Sequence, residues 1–393
     1  MLEIFIYPVS GIMKLWHVFL HSVLGINDSL SWVLSIFGLI IVVRGLITPF
    51  QWLILHSGRM SVMLRPKLRA LNDEYVDVIE YKKLEEKEKR EKELKKEYNY
   101  RVSAGCIPPL IQIPVFLGLY QVLLRMARPK NGLDTTVHEP IGLLTSTDVS
   151  QFLHARFGNV PVSAYIAMSP EQFGRLGTSY EEVAIFVFPL LVASALVTFI
   201  NMMISVVRNY FTVDHDSAIA VAITRMLVIF AFIVPFILVK VGVDGPVPAA
   251  IAAYWVANNL WTLIQNVAIY LVLFKKYPFD DELWAFQKER RSERMERTRQ
   301  KRKFIWQRRL ALIGFVIAPW WIPAHKARLI EANEHFAAKK AEKLETKLAN
   351  KEKRKQRNIS RKQHWREERL EKERQKKAQQ QQEEPDSGEQ SES

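Results

Sequence analysis

This sequence of 393 residues has little of what catalytic and metal centres require. Its single cysteine, Cys106, excludes an intramolecular disulfide. No GxSxG, HExxH or Walker-type glycine motif occurs, and His138 and His154 have no cysteine or carboxylate at metal-ligand spacing. We therefore expect a protein that is not an enzyme and that holds no cofactor or metal.

Charge is nearly absent from five long stretches, although charged residues make up 24% of the chain and hydrophobic residues 49%. Each stretch has the ~20 residues that a helix needs to cross a bilayer. The pattern predicts an all-α, polytopic helical membrane protein with a five-helix transmembrane core. The predicted spans are residues 31–56, 106–126, 183–207, 218–243 and 247–274.

The predicted spans divide the rest of the chain into loops and tails. A charged, helix-forming segment at 57–105 predicts a cytoplasmic helical hairpin that breaks near residues 72–77. Its function stays open between a simple connector and a platform for an incoming chain. We expect an extracytoplasmic loop of short helices and turns at 127–182, and a short cytoplasmic loop at 208–217.

The first 30 residues have two interpretations. Lys14, His17 and His21 recur at spacings of three and four, so they share one face of an otherwise apolar helix. This pattern favours an amphipathic helix in the outer membrane interface over a sixth span.

Basic residues predict the orientation of the chain. Residues 57–105, 208–217 and 275–393 together carry 46 Lys and Arg, whereas the segments on the opposite side carry five. By the positive-inside rule, the N-terminus lies outside and the C-terminal tail in the cytoplasm. That tail has a net charge of +12 and could bind ribosomal RNA or anionic lipids. Within it, we expect an interfacial apolar segment at 310–323 and a disordered end at 378–393.

Arg44 lies in the middle of the first predicted span. A charged side chain at the bilayer centre costs about 3 kcal/mol on insertion scales, so it should face protein or water. Two alternatives remain open: a paired arginine in a buried soluble helix, or an arginine that reaches one membrane interface. The predicted spans contain amides and hydroxyls but no carboxylate that could pair with Arg44. This combination favours a hydrated cavity over an ion pair or a proton pathway.

Several motifs resemble the YidC family of membrane protein insertases, relatives of the mitochondrial Oxa insertases. They are YPVSGIM (7–13), the arginine in the first span followed by TPF (48–50), LRPKLRALNDEY (64–75), GCIPPLIQIPVFLGLYQVL (105–123) and YWVANNLWTLIQN (254–266). The resemblance covers about residues 7–277. The chain departs from it at NYRVSAG (99–105), where the family commonly has an Asn-Pro turn, and in the C-terminal tail.

The resemblance implies a hydrophilic groove enclosed by five helices, open to the cytoplasm and to lipid and closed outside. Arg44 matches the arginine in that groove, and Gln112, Asn201, Asn258 and Trp261 are candidate groove residues by position. It further implies an insertase and chaperone for new membrane proteins in the bacterial inner or plasma membrane. The expected partners are nascent membrane proteins, the Sec translocon, the ribosome through the basic tail, and anionic lipids.

Two other functions remain as alternatives. A small-anion transporter or channel could use Arg44, but the odd number of spans and the lack of an internal repeat disfavour it. A ribosome or lipid tether would use the basic tail and leave the polar residues of the spans unexplained.

Overall fold

The structure, a computed structural model, describes residues 3–99, 107–127, 138–317 and 319–383. Its long elements are all helices, which confirms the predicted all-α class. In chain order they are α1 (Glu3–Val18), α2 (Asp28–Glu74), α3 (Tyr81–Glu97), α4 (Ile107–Ala127), α5 (Ser146–His154), α6 (Pro170–Arg175), α7 (Tyr180–Thr212), α8 (Ala218–Asp244), α9 (Ala249–Lys276), α10 (Asp281–Ile317) and α11 (Ile322–Glu383). A π-helical turn (Phe19–Val23) follows α1, and a 3-10 turn (Pro319–Trp321) precedes α11. Strands β1 (Arg156–Phe157) and β2 (Val160–Pro161) form a small antiparallel hairpin.

The chain divides into two compact units. The first comprises Met1–Val62 and Tyr100–Asp280, and the second comprises Met63–Asn99 and Asp281–Ser393. The first unit contains the apolar helices, and the second contains α3, α10 and α11.

Five of the described helices are long and apolar enough to cross a membrane: Glu3–Val23, α2, α7, α8 and α9. Four of these contain predicted spans. The other predicted span, 106–126, coincides with α4, whose described side chains supply a shorter apolar stretch, Ile113–Met126. The segment Glu3–Val23 has the lowest mean hydropathy of the five, 1.2. Its location in the membrane interface stays a prediction.

Helix α1 is packed tightly into the first unit. Ile6, Val9 and Met13 are buried in the main apolar core. At Gly118 of α4, the carbonyl group of Phe5 approaches so closely that a Cβ atom would overlap it. Any larger residue at position 118 would therefore push α1 away from α4.

The polar face of α1 contacts protein, which differs from the expected exposure to lipid headgroups. Lys14 Nζ forms an ion pair with Asp148 Oδ2 of α5 at 2.8 Å. His17 is buried and stacks on Trp32 of α2, with 4.0 Å between the ring centroids. Sequence periodicity identified this face but could not tell that the loop after α4 folds over it.

The loop between α4 and α7 forms short capped elements over its described part. Capping boxes begin α5 at Thr145 and Asp148, and α7 at Ser179 and Glu182. The loop also holds the start of α9, because the amide of Ala249 donates to the carbonyl of Ala164 at 2.8 Å. The first turn of α9 is thus fixed on the side that we predict to be outside.

In the second unit, the end of α2 and α3 flank a turn at residues 75–80, close to the predicted break of the hairpin. Residues 100–106, which include all of the departure from the family motif except Asn99 and also include Cys106, lie outside the described residues. Helix α11 contacts this turn through Arg357, which donates to the carbonyl oxygens of Tyr75, Val76 and Val78. The tail helix therefore packs against the hairpin within this unit.

The basic tail forms an antiparallel helical hairpin of α10 and α11. The ring of Phe304 stacks on that of His335, with 3.8 Å between the ring centroids, and the described residues of the predicted interfacial segment 310–323 form the apex. Helix α11 continues to Glu383, beyond the start of the predicted disordered end at 378. The run of Ala, Gln and Glu there consists of strong helix formers, which explains this difference. The remaining residues of that predicted end, 384–393, lie outside the described part.

Candidate functional site

Arg44 lies on α2 and contacts α9. Its Nε and Nη2 atoms both donate to Asn258 Oδ1, at 2.9 and 2.7 Å. The side chain is half-buried, and none of the described residues places a carboxylate within ion-pair distance of it. A neutral amide orients the guanidinium but leaves its positive charge uncompensated.

Polar side chains continue from Arg44 along both helices. Gln265 Nε2 donates to Thr48 Oγ1 at 3.1 Å, and Gln51 Nε2 donates to Asn266 Oδ1 at 3.3 Å. We call the set Arg44, Thr48, Gln51, Asn258, Gln265 and Asn266 the polar seam. All its members are half-buried, so the seam is neither a dry core nor a fully open surface.

The seam follows from helical periodicity. Residues 44, 48 and 51 are spaced i, i+4 and i+7 on α2, and residues 258 and 265 are seven apart on α9. Such spacings place side chains on one face of each helix. A polar stripe on α2 thus contacts a polar stripe on α9, within otherwise apolar parts of both helices.

A second polar network connects α9 to α7. Asn259 Nδ2 donates to Ser194 Oγ at 3.0 Å and to Thr198 Oγ1 at 2.8 Å. Asn201 Nδ2 donates to the carbonyl oxygen of Asn259 at 3.0 Å. Hydrogen bonds of this kind hold helices together in lipid. Helix α9 therefore has one polar stripe toward α2 and another toward α7.

The predicted site residues divide between these networks. Arg44 and Asn258 are in direct contact, whereas Asn201 belongs to the network of α7. The indole Nε1 of Trp261 is buried and has no hydrogen-bond partner among the described residues. Gln112 falls within α4, but its side chain lies outside the described part of the chain.

Sequence reasoning missed Thr48 and Gln51 as members of the site. The signal was their spacing from Arg44, because both fall on the helical face that carries the charge. Taken singly, neither residue is unusual near the end of a span. Only their alignment with Gln265 and Asn266 distinguishes them.

The C-terminal end of α9 is held by a second arginine of α2, Arg59. Arg59 Nε donates to the carbonyl oxygen of Tyr277 at 2.6 Å, and its guanidinium lies 3.9 Å from the ring centroid of Phe279. A cation at the last carbonyls of a helix also interacts favourably with the helix dipole. Unlike Arg44, Arg59 is therefore explained by its capping and stacking contacts.

Comparison with known proteins shows the family of this chain. The family model described as "60Kd inner membrane protein" matches residues 22–276. The chain is 41% identical to the membrane protein insertase YidC of Corynebacterium glutamicum over 369 residues, which cover 92% of this chain and 86% of the relative. It is 41% identical to that of Corynebacterium efficiens over 352 residues (89% and 87%), and 30% identical to that of Mycobacterium leprae over 284 residues (70% and 71%). The chain is a multi-pass bacterial membrane protein and belongs to the YidC family of membrane protein insertases.

Proposed function

We propose that this chain inserts and helps to fold newly made membrane proteins, either alone or together with the Sec translocon. The polar seam receives the polar outer segment of a substrate partway across the bilayer. The observation that carries this proposal is the pairing of Arg44 with a neutral amide, because it leaves a net positive charge inside the apolar part of the protein. Such a charge attracts acidic or polar segments that lipid would repel.

The energy for insertion comes from the apolar part of the substrate. Helix α8 carries many exposed apolar side chains along the proposed path, including Phe232, Phe236 and Ile237. An apolar substrate helix can slide along this surface into lipid, where burial of its side chains stabilises it. The protein then only has to lower the barrier for the polar segment, and no covalent chemistry is needed.

The proposal includes an orientation and a set of partners. The N-terminus lies outside and the tail at 275–393 lies in the cytoplasm, as the distribution of Lys and Arg favours. The basic tail recruits ribosomes and contacts anionic lipids through its net positive charge. Substrate chains would then emerge close to the cytoplasmic ends of the spans.

Reconstitution tests the proposal against its two alternatives. The purified full chain is placed in liposomes, and a single-span substrate with an acidic outer segment is synthesised in their presence. Insertion is measured as protection of that segment from added protease. Protection in proteoliposomes but not in empty liposomes supports an insertase. Flux of a small anion without protection supports a transporter or channel. If neither insertion nor flux is observed, the result supports a tether.

Variants of Arg44 connect the activity to the seam. We expect Arg44→Ala to lose most insertion of the acidic substrate, whereas Arg44→Lys keeps the charge and should retain much of it. Lys240→Met is the matched control, since Lys240 is a cation on a spanning helix that is exposed and paired with Asp244. Equal activity of Arg44→Ala and the unaltered chain would remove Arg44 from the mechanism.

A further inference from the structure

The apex of the hairpin formed by α10 and α11 exposes an unusual concentration of apolar side chains. Val316 is 82% exposed, Trp320 75% and Ile317 71%. Trp321, Ile313 and Leu310 are exposed on the same apex. We call the described residues 310–317 and 319–322 the apolar tip. A patch of this kind on a helical hairpin indicates a contact with a partner or with a membrane.

The tip has a defined shape because the two helices pack closely beneath it. Ala311 and Ala332 are completely buried. A Cβ atom at Gly314 would overlap the imidazole ring of His325, so glycine is what allows the helices to approach here. The exposed side chains therefore project from a well-packed hairpin.

The charge around the tip is exclusively positive. Residues 298–330 contain eight Lys and Arg and no Asp or Glu. Elsewhere in these helices, basic residues pair with glutamates, as Arg297 does with Glu293 and Lys372 with Glu368. Arg308 and Arg309, by contrast, have no carboxylate partner among the described residues. The side of the tip thus carries uncompensated positive charge.

The two arginines also border a groove between the helices. Its lining consists of Arg308, Arg309, Ile305, Leu312 and Phe336, and its volume is about 350 Å³. Two guanidinium groups beside an apolar lining match the chemistry of a phospholipid, whose phosphate is anionic and whose chains are apolar. Exposed tryptophans are also typical of side chains at the membrane surface.

From this combination we propose that the apolar tip inserts into the surface of an anionic lipid bilayer, with Arg308 and Arg309 bound to lipid phosphates. The contact is a second membrane attachment, separate from the spans. It rests on the lipid contact of the basic tail in the proposed function and specifies its site, but it does not require insertion activity. Because the spans already hold the chain in the membrane, the tip acts at high local lipid concentration, and a modest intrinsic affinity suffices.

Spin labels on the full-length protein test this proposal. The single cysteine is first removed by Cys106→Ser, and a nitroxide is then attached at Val316→Cys on the tip or at Asn350→Cys on the exposed shaft of α11. The protein is reconstituted in liposomes of phosphatidylcholine, with or without phosphatidylglycerol. Accessibility is measured to oxygen, which concentrates in the bilayer, and to a water-soluble nickel chelate.

With phosphatidylglycerol present, we expect the label at 316 to be shielded from nickel and accessible to oxygen, while the label at 350 stays accessible to nickel. The double change Arg308→Gln and Arg309→Gln should weaken partition of the tip about thirtyfold, because each basic residue near an anionic surface contributes about a factor of five. It removes charge from an exposed surface, so the fold of the hairpin should persist.

Three results would overturn the proposal. One is equal nickel accessibility at 316 and 350 in the anionic liposomes. The second is shielding of 316 that depends on the protein-to-lipid ratio, which would indicate a second copy of the chain as the occupant. The third is shielding that requires an added ribosome and nascent chain, which would indicate a protein or RNA partner.

Discussion

Asn258 and Asn259 are neighbours on α9, yet their side chains bond to different helices. Asn258 accepts both hydrogen bonds from Arg44 of α2, and Asn259 donates to Ser194 and Thr198 of α7. Successive residues of a helix are about 100° apart, which places the two amides on different faces. Helix α9 therefore contributes to the charged seam on one side and to a hydrogen-bonded helix contact on the other.

The first prediction concerns the net charge of the seam. Asn258→Asp would place a carboxylate against Arg44 and neutralise it, so insertion of a substrate with an acidic outer segment should fall about tenfold or more. Asn258→Ser is the control, because it removes the amide without adding charge. Protease protection in proteoliposomes measures both. Equal losses in the two variants would mean that the amide, and not the charge, is what matters.

The second prediction concerns the other amide. Asn259→Ala should lower the free energy of unfolding by about 1 kcal/mol, which is typical of a hydrogen bond between membrane helices. A double-mutant cycle with Thr198→Val isolates the contact between the two side chains. Leu260→Ala serves as a control on the exposed side of the same helix. Additive effects of Asn259→Ala and Thr198→Val would contradict the coupling.

The sequence predicted the spans because segregation of apolar from charged residues is a property of each segment alone. It singled out Arg44 for the same reason, since one guanidinium in an apolar run is costly wherever that run lies. The sequence alone could not show which asparagine contacts Arg44. Asn201, Asn258 and Asn259 are chemically equivalent, and only the packing of α9 between α2 and α7 decides which of them meets the charge.

In the N-terminal segment, the sequence predicted a polar helix face but not what that face contacts. Periodicity correctly grouped Lys14 and His17 on one face, but a polar face can contact headgroups or protein. The choice depends on Asp148 and Trp32, which are distant in the sequence. The apolar segment at the apex of the tail could be recognised in the sequence, because its apolar residues lie in one continuous run. The hairpin could not, because it depends on contacts between distant residues such as Phe304 and His335.

The third prediction concerns the pH dependence of the described part of the loop between α4 and α7 (residues 138–179), which we call the cap. Burial raises the pKa of the Asp148 carboxyl, but hydrogen bonds from Lys14 and Thr145 outweigh it and bring the pKa below the ordinary value of aspartate. A lowered pKa in the folded state stabilises the cap at neutral pH. This stabilisation is lost as the pH falls below about 4, the ordinary pKa of aspartate, and through the lower folded value.

Hydrogen exchange of the α5 amides measures this effect. After correction for the intrinsic pH dependence of exchange, the α5 amides of the unaltered chain should be less protected in acid than at neutral pH. Lys14→Met should reduce both the protection at neutral pH and its change on acidification, because it removes the cation that lowers the pKa of Asp148. An unchanged acid response in Lys14→Met would show that the ion pair does not control the cap.

The last prediction separates two contacts between α11 and the turn at residues 75–80. Arg357 is half-buried and donates to three carbonyl oxygens, whereas Lys353 forms a single ion pair with Asp77 at 2.6 Å in which the Asp77 side chain is 82% exposed. Hydrogen bonds that involve a charged group contribute about 1.5–3 kcal/mol, and exposed ion pairs contribute far less despite a short distance. Arg357→Ala should therefore increase hydrogen exchange in the turn about tenfold or more, while Lys353→Ala leaves it nearly unchanged. A larger effect of Lys353→Ala would mean that charge attraction, and not the capture of main-chain carbonyls, holds the tail helix against the hairpin.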